Sequence, residues 1–190
     1  MKLNIDDMSD KEDRAAAIIL AYASAHAGIA AILANTVVGD TAVLSIMTCL
    51  MIYQLANLCE RDLDAAAIAA IAGQLFGLVS GGYMASKLIS WVPGFGNAVN
   101  ATVTFGLTQV IGWAAFAMFN NPGLTKDEAI KYGEDRKVSK QDMEDLVRSM
   151  SDEDRARYNR LLDRLKNTGL SDSERQTLAS DMADIINRYR

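Results

Sequence analysis

Charged residues fall along this chain in two regimes. Positions 15–125 carry six charges in 111 residues, at Asp40, Glu60, Arg61, Asp62, Asp64 and Lys87, while the other 79 positions carry 37. The charge-poor block breaks into uncharged runs at 15–38, 41–58, 65–86 and 88–125, the last divided by Pro93-Gly94-Phe95-Gly96. None alternates as a half-buried strand would, and all are too long for a buried strand, so each run predicts helix. Proline lacks a backbone donor and glycine permits sharp bends. Turns are therefore expected at Gly39-Asp40 and at Pro93, Gly94 and Gly96, and Asn120-Asn121-Pro122-Gly123 should end the last apolar helix. Ser9 and Glu12 have the spacing of a capping box, which predicts a helix start near Asp10.

Beyond residue 125 the pattern becomes amphipathic. Thr125/Glu128, Ser139/Asp142, Ser151/Asp154 and Ser171/Glu174 repeat the cap spacing, with aspartate the weaker partner in two. Between them run narrow apolar stripes: Met143, Leu146, Val147, Met150; Tyr158, Leu161, Leu162, Leu165; Leu178, Met182, Ile185, Ile186. Their i, i+3, i+4, i+7 spacing belongs to helices with one buried face. Gly169 reads as the glycine that terminates a helix, with Leu170 as its apolar contact. The expected architecture is all-α: a polar segment 1–14, a charge-poor bundle of about four apolar helices over 15–120, and a soluble helical region over 125–190 ending in an antiparallel hairpin.

An average soluble domain is about one-quarter charged, so 111 residues would carry about 28 charges. Water is therefore an unlikely sole neighbour for the block, and lipid, sister subunits or both are expected to cover it. Each apolar run reaches or approaches the roughly 20 residues that cross a hydrocarbon core, although Ala, Gly, Ser and Thr outnumber Leu. With four crossings, both termini and Arg61 share one side, which collects nearly all Lys and Arg and should be cytoplasmic. The polar, net acidic first 14 residues do not resemble a signal peptide. Trp91 and Trp113 fit either headgroup depth or a buried core.

The strongest motif concerns packing. Ala69, Gly73, Gly77, Gly81 and Ala85 recur every fourth residue along one face of the third apolar helix, the spacing that lets helices approach closely. Chemistry is hardly represented. His26, the single histidine, sits among alanines and reads as a neutral packing residue, with a functional ionisable group as the alternative. Glu60, Asp62 and Asp64 read as a solvated loop and helix start rather than a cation site. Cys49 and Cys59, ten residues apart on a helix, are separated by about 15 Å, too far for a disulfide. No catalytic constellation, metal-ligand spacing, phosphate-binding loop or cofactor signature is present. A net charge of −5 without basic runs argues against nucleic acid.

The apolar block also resembles a known family. The elements are Ala30-Ala31 leading to Val38-Gly39-Asp40, then Met51-Ile52-Tyr53-Gln54-Leu55-Ala56, then Leu88-Ile89-Ser90-Trp91-Val92-Pro93-Gly94-Phe95-Gly96, and finally Thr104, Gly106-Leu107-Thr108 and Gly112. Over residues 23–119 these look like the domain of unknown function 697 family, helical membrane domains associated with Era-like GTPases. The prolines usual before that family's second helix are missing from Asn35-Thr36-Val37-Val38-Gly39-Asp40. The resemblance implies no reaction, and it implies a separate GTPase as partner. The resulting expectation is a self-associating helical membrane scaffold, not an enzyme, whose C-terminal helices contact a GTPase or another protein. A pore lined by Gln54, Asn57, Gln74, Asn100, Thr104, Thr108 and Gln109, and a soluble homo-oligomeric assembly, are the alternatives.

Overall fold

The computed structural model describes residues 5–33, 40–87, 97–167 and 169–190; side chains are described outside 5–9, 32–43 and 80–100. The expected turn residues Gly39, Pro93, Gly94 and Gly96 lie outside the described residues, as does Trp91. Eight helices follow in order: α1 (Ile5–Leu33), α2 (Asp40–Leu58), α3 (Ala65–Lys87), α4 (Asn97–Asn120), α5 (Lys126–Arg136), α6 (Lys140–Ser149), α7 (Asp152–Leu165) and α8 (Asp172–Asn187). No strand occurs among the described residues. The class is all-α, with roughly four apolar helices before four short charged ones.

Local chemistry sets most helix ends. Thr125, Ser139 and Ser171 form reciprocal capping boxes with Glu128, Asp142 and Glu174. Ser151 accepts from the Asp154 N–H in the same manner. The Asp154 carboxylate, however, accepts from Arg188 at 2.7 Å and from the Tyr189 hydroxyl at 2.8 Å, which ties the start of α7 to the end of α8. Asp64 caps α3 by accepting from the Ala67 N–H at 2.7 Å. Helix α1 begins at Ile5, a turn before the expected start, so Ser9 lies within it.

Two termini depart from expectation. Gly169 is not in the left-handed conformation of a terminating glycine; its N–H donates to Asn167 Oδ1 at 2.9 Å. The left-handed residue is Glu60, at φ 57°. Its N–H donates to Asn57 O at 3.0 Å and the Arg61 N–H to Ala56 O at 2.8 Å. That pair of bonds is the Schellman closure, made here without glycine. Arg61 then donates through Nε and Nη2 to Phe119 O at 2.9 and 2.6 Å, capping the C-terminal end of α4.

Helices α1 and α4 are the centre of the fold. They run antiparallel, since Ile19 meets Gly112 and His26 meets Thr108. Besides α4, α1 is packed by α8, α2 and α7, and α4 is packed by α5. Helices α7 and α8 form the expected antiparallel hairpin, and α8 buries Leu178, Ala179, Met182, Ala183, Ile185 and Ile186. Each fully buried side chain of the Ile or Met kind contributes about 1.5–3 kcal/mol, so this stripe fastens the charged helices to the apolar ones. Trp113 is buried, edge-on to Phe116 and Tyr132 with ring centroids 5.8 and 6.3 Å away.

The polar end of α1 is held by side-chain pairs. Glu12 accepts from Arg136 at 2.7 Å, Lys11 lies 3.4 Å from Glu60, and Arg190 donates to Asp13 O at 3.1 Å. The described start of the chain, its end and the Arg61 loop therefore share one end of the bundle.

Candidate functional site

The small-residue row on α3 is the feature to which the sequence directs attention. Helix α3 buries Ile68, Ala72, Leu75 and Val79, a single stripe facing α4 and α2. Ala69, Gly73 and Gly77 are exposed on the other side. Among the described residues, a Cβ added at Gly73 would meet nothing within 4 Å. Gly81 and Ala85 lie on the same helix, but their side chains fall outside the described set. The row is thus an outward surface over its described length. Large apolar side chains are also exposed: Phe76 is 55% exposed and Leu78 41% on α3, and Ile46 41% and Tyr53 39% on α2. Asp40 is the first residue of α2, and its side chain is outside the described set.

The glycines that admit a neighbouring helix lie elsewhere. A Cβ at Gly133 would stand 2.5 Å from Val110 O, so α5 crosses α4 backbone to backbone there. A Cβ at Gly112 would stand 2.7 Å from Ile19 Cγ1 and 3.2 Å from Met51 Sδ, at the junction of α1, α2 and α4. The signal for these positions was present: an isolated glycine inside a helix costs about 1 kcal/mol against alanine and needs a packing reason.

His26, Gln54, Thr108 and Gln109, polar residues of the apolar block, are buried inside the fold. His26 is buried and joins three helices, with Nδ1 2.8 Å from Thr108 Oγ1 and Nε2 3.2 Å from Leu44 O. A carbonyl can only accept, so Nε2 carries the proton; Nδ1 faces the Thr108 hydroxyl, whose single proton is shared between the ring and Thr104 O, 2.9 Å away. Gln109 closes a two-way clasp on the α5–α6 link, donating to Val138 O at 3.1 Å and accepting from the Val138 N–H at 2.9 Å. Gln54 donates to Gln176 O and to Ser180 Oγ, each at 3.2 Å. These three residues face different neighbours. Asn57 and Gln74 are exposed. Gln54 and Asn57 border a polar groove with Arg14, Asp184 and Asn187 between α1, α2 and α8.

Titratable chemistry sits at the edges. Burial pushes the Tyr158 phenol up to about 12. Its neighbour Ser24 partly offsets that rise, although the Ser24 hydroxyl falls short of hydrogen-bond geometry. Burial and the Glu12 carboxylate also raise Tyr132, whose ring lies under the Arg136 guanidinium at 3.6 Å. Cys49 and Cys59 are free thiols. Among the described residues no three His, Cys, Asp or Glu side chains gather as a metal site.

Two helical stretches, Asp10–Ala31 and Ala101–Asn120, are long and apolar enough to cross a membrane by length and composition. Of these windows 72% and 67% is already buried within the fold, as in the core helices of many soluble proteins. No family model, curated protein or solved structure matches the chain.

Proposed function

We propose that this protein is a self-associating helical assembly module whose α3 outer face packs against the same face of another copy. The observation that carries this reading is the openness of Gly73 among the described residues, on a helix with no charge from Ala65 to Ser86. Glycine in a helix interior is unfavourable for an isolated chain, and a row of small residues is repaid when a second backbone approaches it. Leu78 on the same helix is a further exposed apolar side chain. The module serves as a scaffold and performs no reaction. The outer faces of α5–α8 carry the charges available to a second protein, and the likeness of residues 23–119 to GTPase-associated domains makes a separate GTPase the partner to test first.

Native mass spectrometry of the full chain, with and without detergent, tests the reading. Wild type should give a discrete oligomer, and Gly73→Leu should shift it towards monomer while leaving the circular dichroism unchanged. A wild-type chain that stays monomeric under both conditions would overturn the proposal.

Membrane residence is a second reading, favoured by the length and composition of α1 and α4. In it the bundle end that gathers the described termini and Arg61 faces the cytoplasm. Alkaline carbonate extraction separates the two, because recovery in the soluble fraction would remove the bilayer and leave the copies of the chain to cover α3.

A further inference from the structure

A groove of about 510 Å³ runs between α1, α2 and α8, and its polar walls carry Arg14 from α1, Gln54 and Asn57 from α2, and Asp184 and Asn187 from α8. Such a volume lies within the range of small-molecule sites.

The opposite charges on these walls do not meet. Elsewhere on the bundle an acid and a base that face each other between helices close into a pair, Glu12 with Arg136 and Asp154 with Arg188, each at 2.7 Å. Arg14 and Asp184 line one groove, yet among the described residues the side chain of neither makes an ion pair or a hydrogen bond. The side-chain amides of Asn57 and Asn187 are likewise unbonded among the described residues.

Gln54 adds a fixed acceptor. It is 7% exposed, and its Nε2 donates to Gln176 O and to Ser180 Oγ. Those two bonds orient the amide and leave Oε1 with no partner among the described residues. That oxygen is not sealed from solvent, so the groove that Gln54 lines is what reaches it. A nearly buried carbonyl in this position calls for a donor.

We propose that this groove binds a dipeptide-sized zwitterion, with its carboxylate at Arg14, its ammonium at Asp184 and Gln54 Oε1, and its peptide group between the Asn57 and Asn187 amides. A ligand with both charges gives each wall the partner it lacks, whereas a plain anion or cation leaves one wall uncompensated. Arginine presents a matching fork to a carboxylate, and primary amides donate and accept as a peptide group does. From Ser180 to Asn187 the groove follows about 10 Å of helix axis, enough for the roughly 7 Å of an extended dipeptide.

The test is ligand-observed NMR titration of the full chain with alanylalanine, its N-acetyl derivative and its C-terminal amide, which share one body and differ in charge. Alanylalanine should bind saturably, and each blocked derivative about fivefold more weakly, the value of one exposed charge contact. Arg14→Gln should bind alanylalanine no better than the amide, and Asp184→Asn should bind it no better than the N-acetyl derivative. Both substitutions fall at exposed positions, and circular dichroism should report an unchanged fold. Equal binding of the three ligands by wild type overturns the proposal, as does absence of alanylalanine binding. Selectivity for alanylalanine that survives both substitutions also overturns it, by placing the ligand elsewhere.

Discussion

Helices α1 and α3 have nearly the same chemistry and opposite circumstances. Both carry long uncharged runs rich in alanine. Helix α1 is enclosed by α4, α8, α2 and α7, and from Ala15 to Ala30 nearly every side chain is buried. Helix α3 touches chiefly α4 and α2, buries one stripe, and turns Ala69, Gly73, Phe76, Gly77 and Leu78 outwards. The cover on α1 comes from the chain itself: charged, amphipathic helices turn their apolar stripes inwards. Low charge density therefore records only that a surface needs a neighbour. Whether the neighbour is another part of the chain or something outside it is a separate matter: the chain itself covers α1, whereas the described residues leave the outer side of α3 exposed.

The sharpest way to break this contrast is to place the same bulky residue on both sides of it. Gly133→Leu forces a side chain into the Val110 backbone and should cost about 3 kcal/mol or more, read as a large fall in the denaturation midpoint. Gly73→Leu should leave monomer stability within about 0.5 kcal/mol and act only on assembly. If both variants lose stability alike, α3 is not an open face.

The buried polar node tests the enclosed side alone. Thr108→Val removes a hydrogen-bond partner from a buried imidazole and should destabilise by about 1–3 kcal/mol. A cycle with His26→Leu should show positive coupling, because the second change removes the group left unsatisfied. Additive losses would mean that the 2.8 Å contact is not energetically coupled.

Glu60→Gly probes the corner joining α2 to α3. Relief of the left-handed backbone should stabilise the fold by about 1 kcal/mol, measured by chemical denaturation, and the loss of the exposed Lys11 pair should subtract little.

The smallest effect should come from acid. Hydrogen bonds at their caps hold Glu128, Asp142 and Glu174 below the usual carboxylate range. A carboxylate whose folded value is depressed contributes stability that is present above its unfolded value, roughly pH 4, and is lost as pH falls through the folded value. The far-ultraviolet dichroism of the covering helices should thus be flat near neutrality and decline only under acid. A Glu128→Gln, Asp142→Asn, Glu174→Gln variant should flatten that decline; an unchanged profile would show that other groups govern it.

Much of the architecture was legible in the residue pattern, because helix-forming information is local. The caps at Thr125, Ser139, Ser151 and Ser171 act within four residues, and the stripes of α6–α8 are periodic. What was not legible depends on residues distant in sequence. Nothing near Gln54 announces Ser180, nothing near Gln109 announces Val138, and no local rule makes Glu60 the left-handed residue instead of Gly169. The packing glycines were visible as residues yet unreadable in role. Ala69, Gly73 and Gly77 of the regular row on α3 face outwards, while the isolated Gly112 and Gly133 admit the close crossings. A residue's neighbours along the chain settle its backbone conformation, since capping bonds and side-chain periodicity span a single turn. Which apolar face gains a cover is a competition among all faces for the same few amphipathic helices, and that is resolved only when the whole bundle closes.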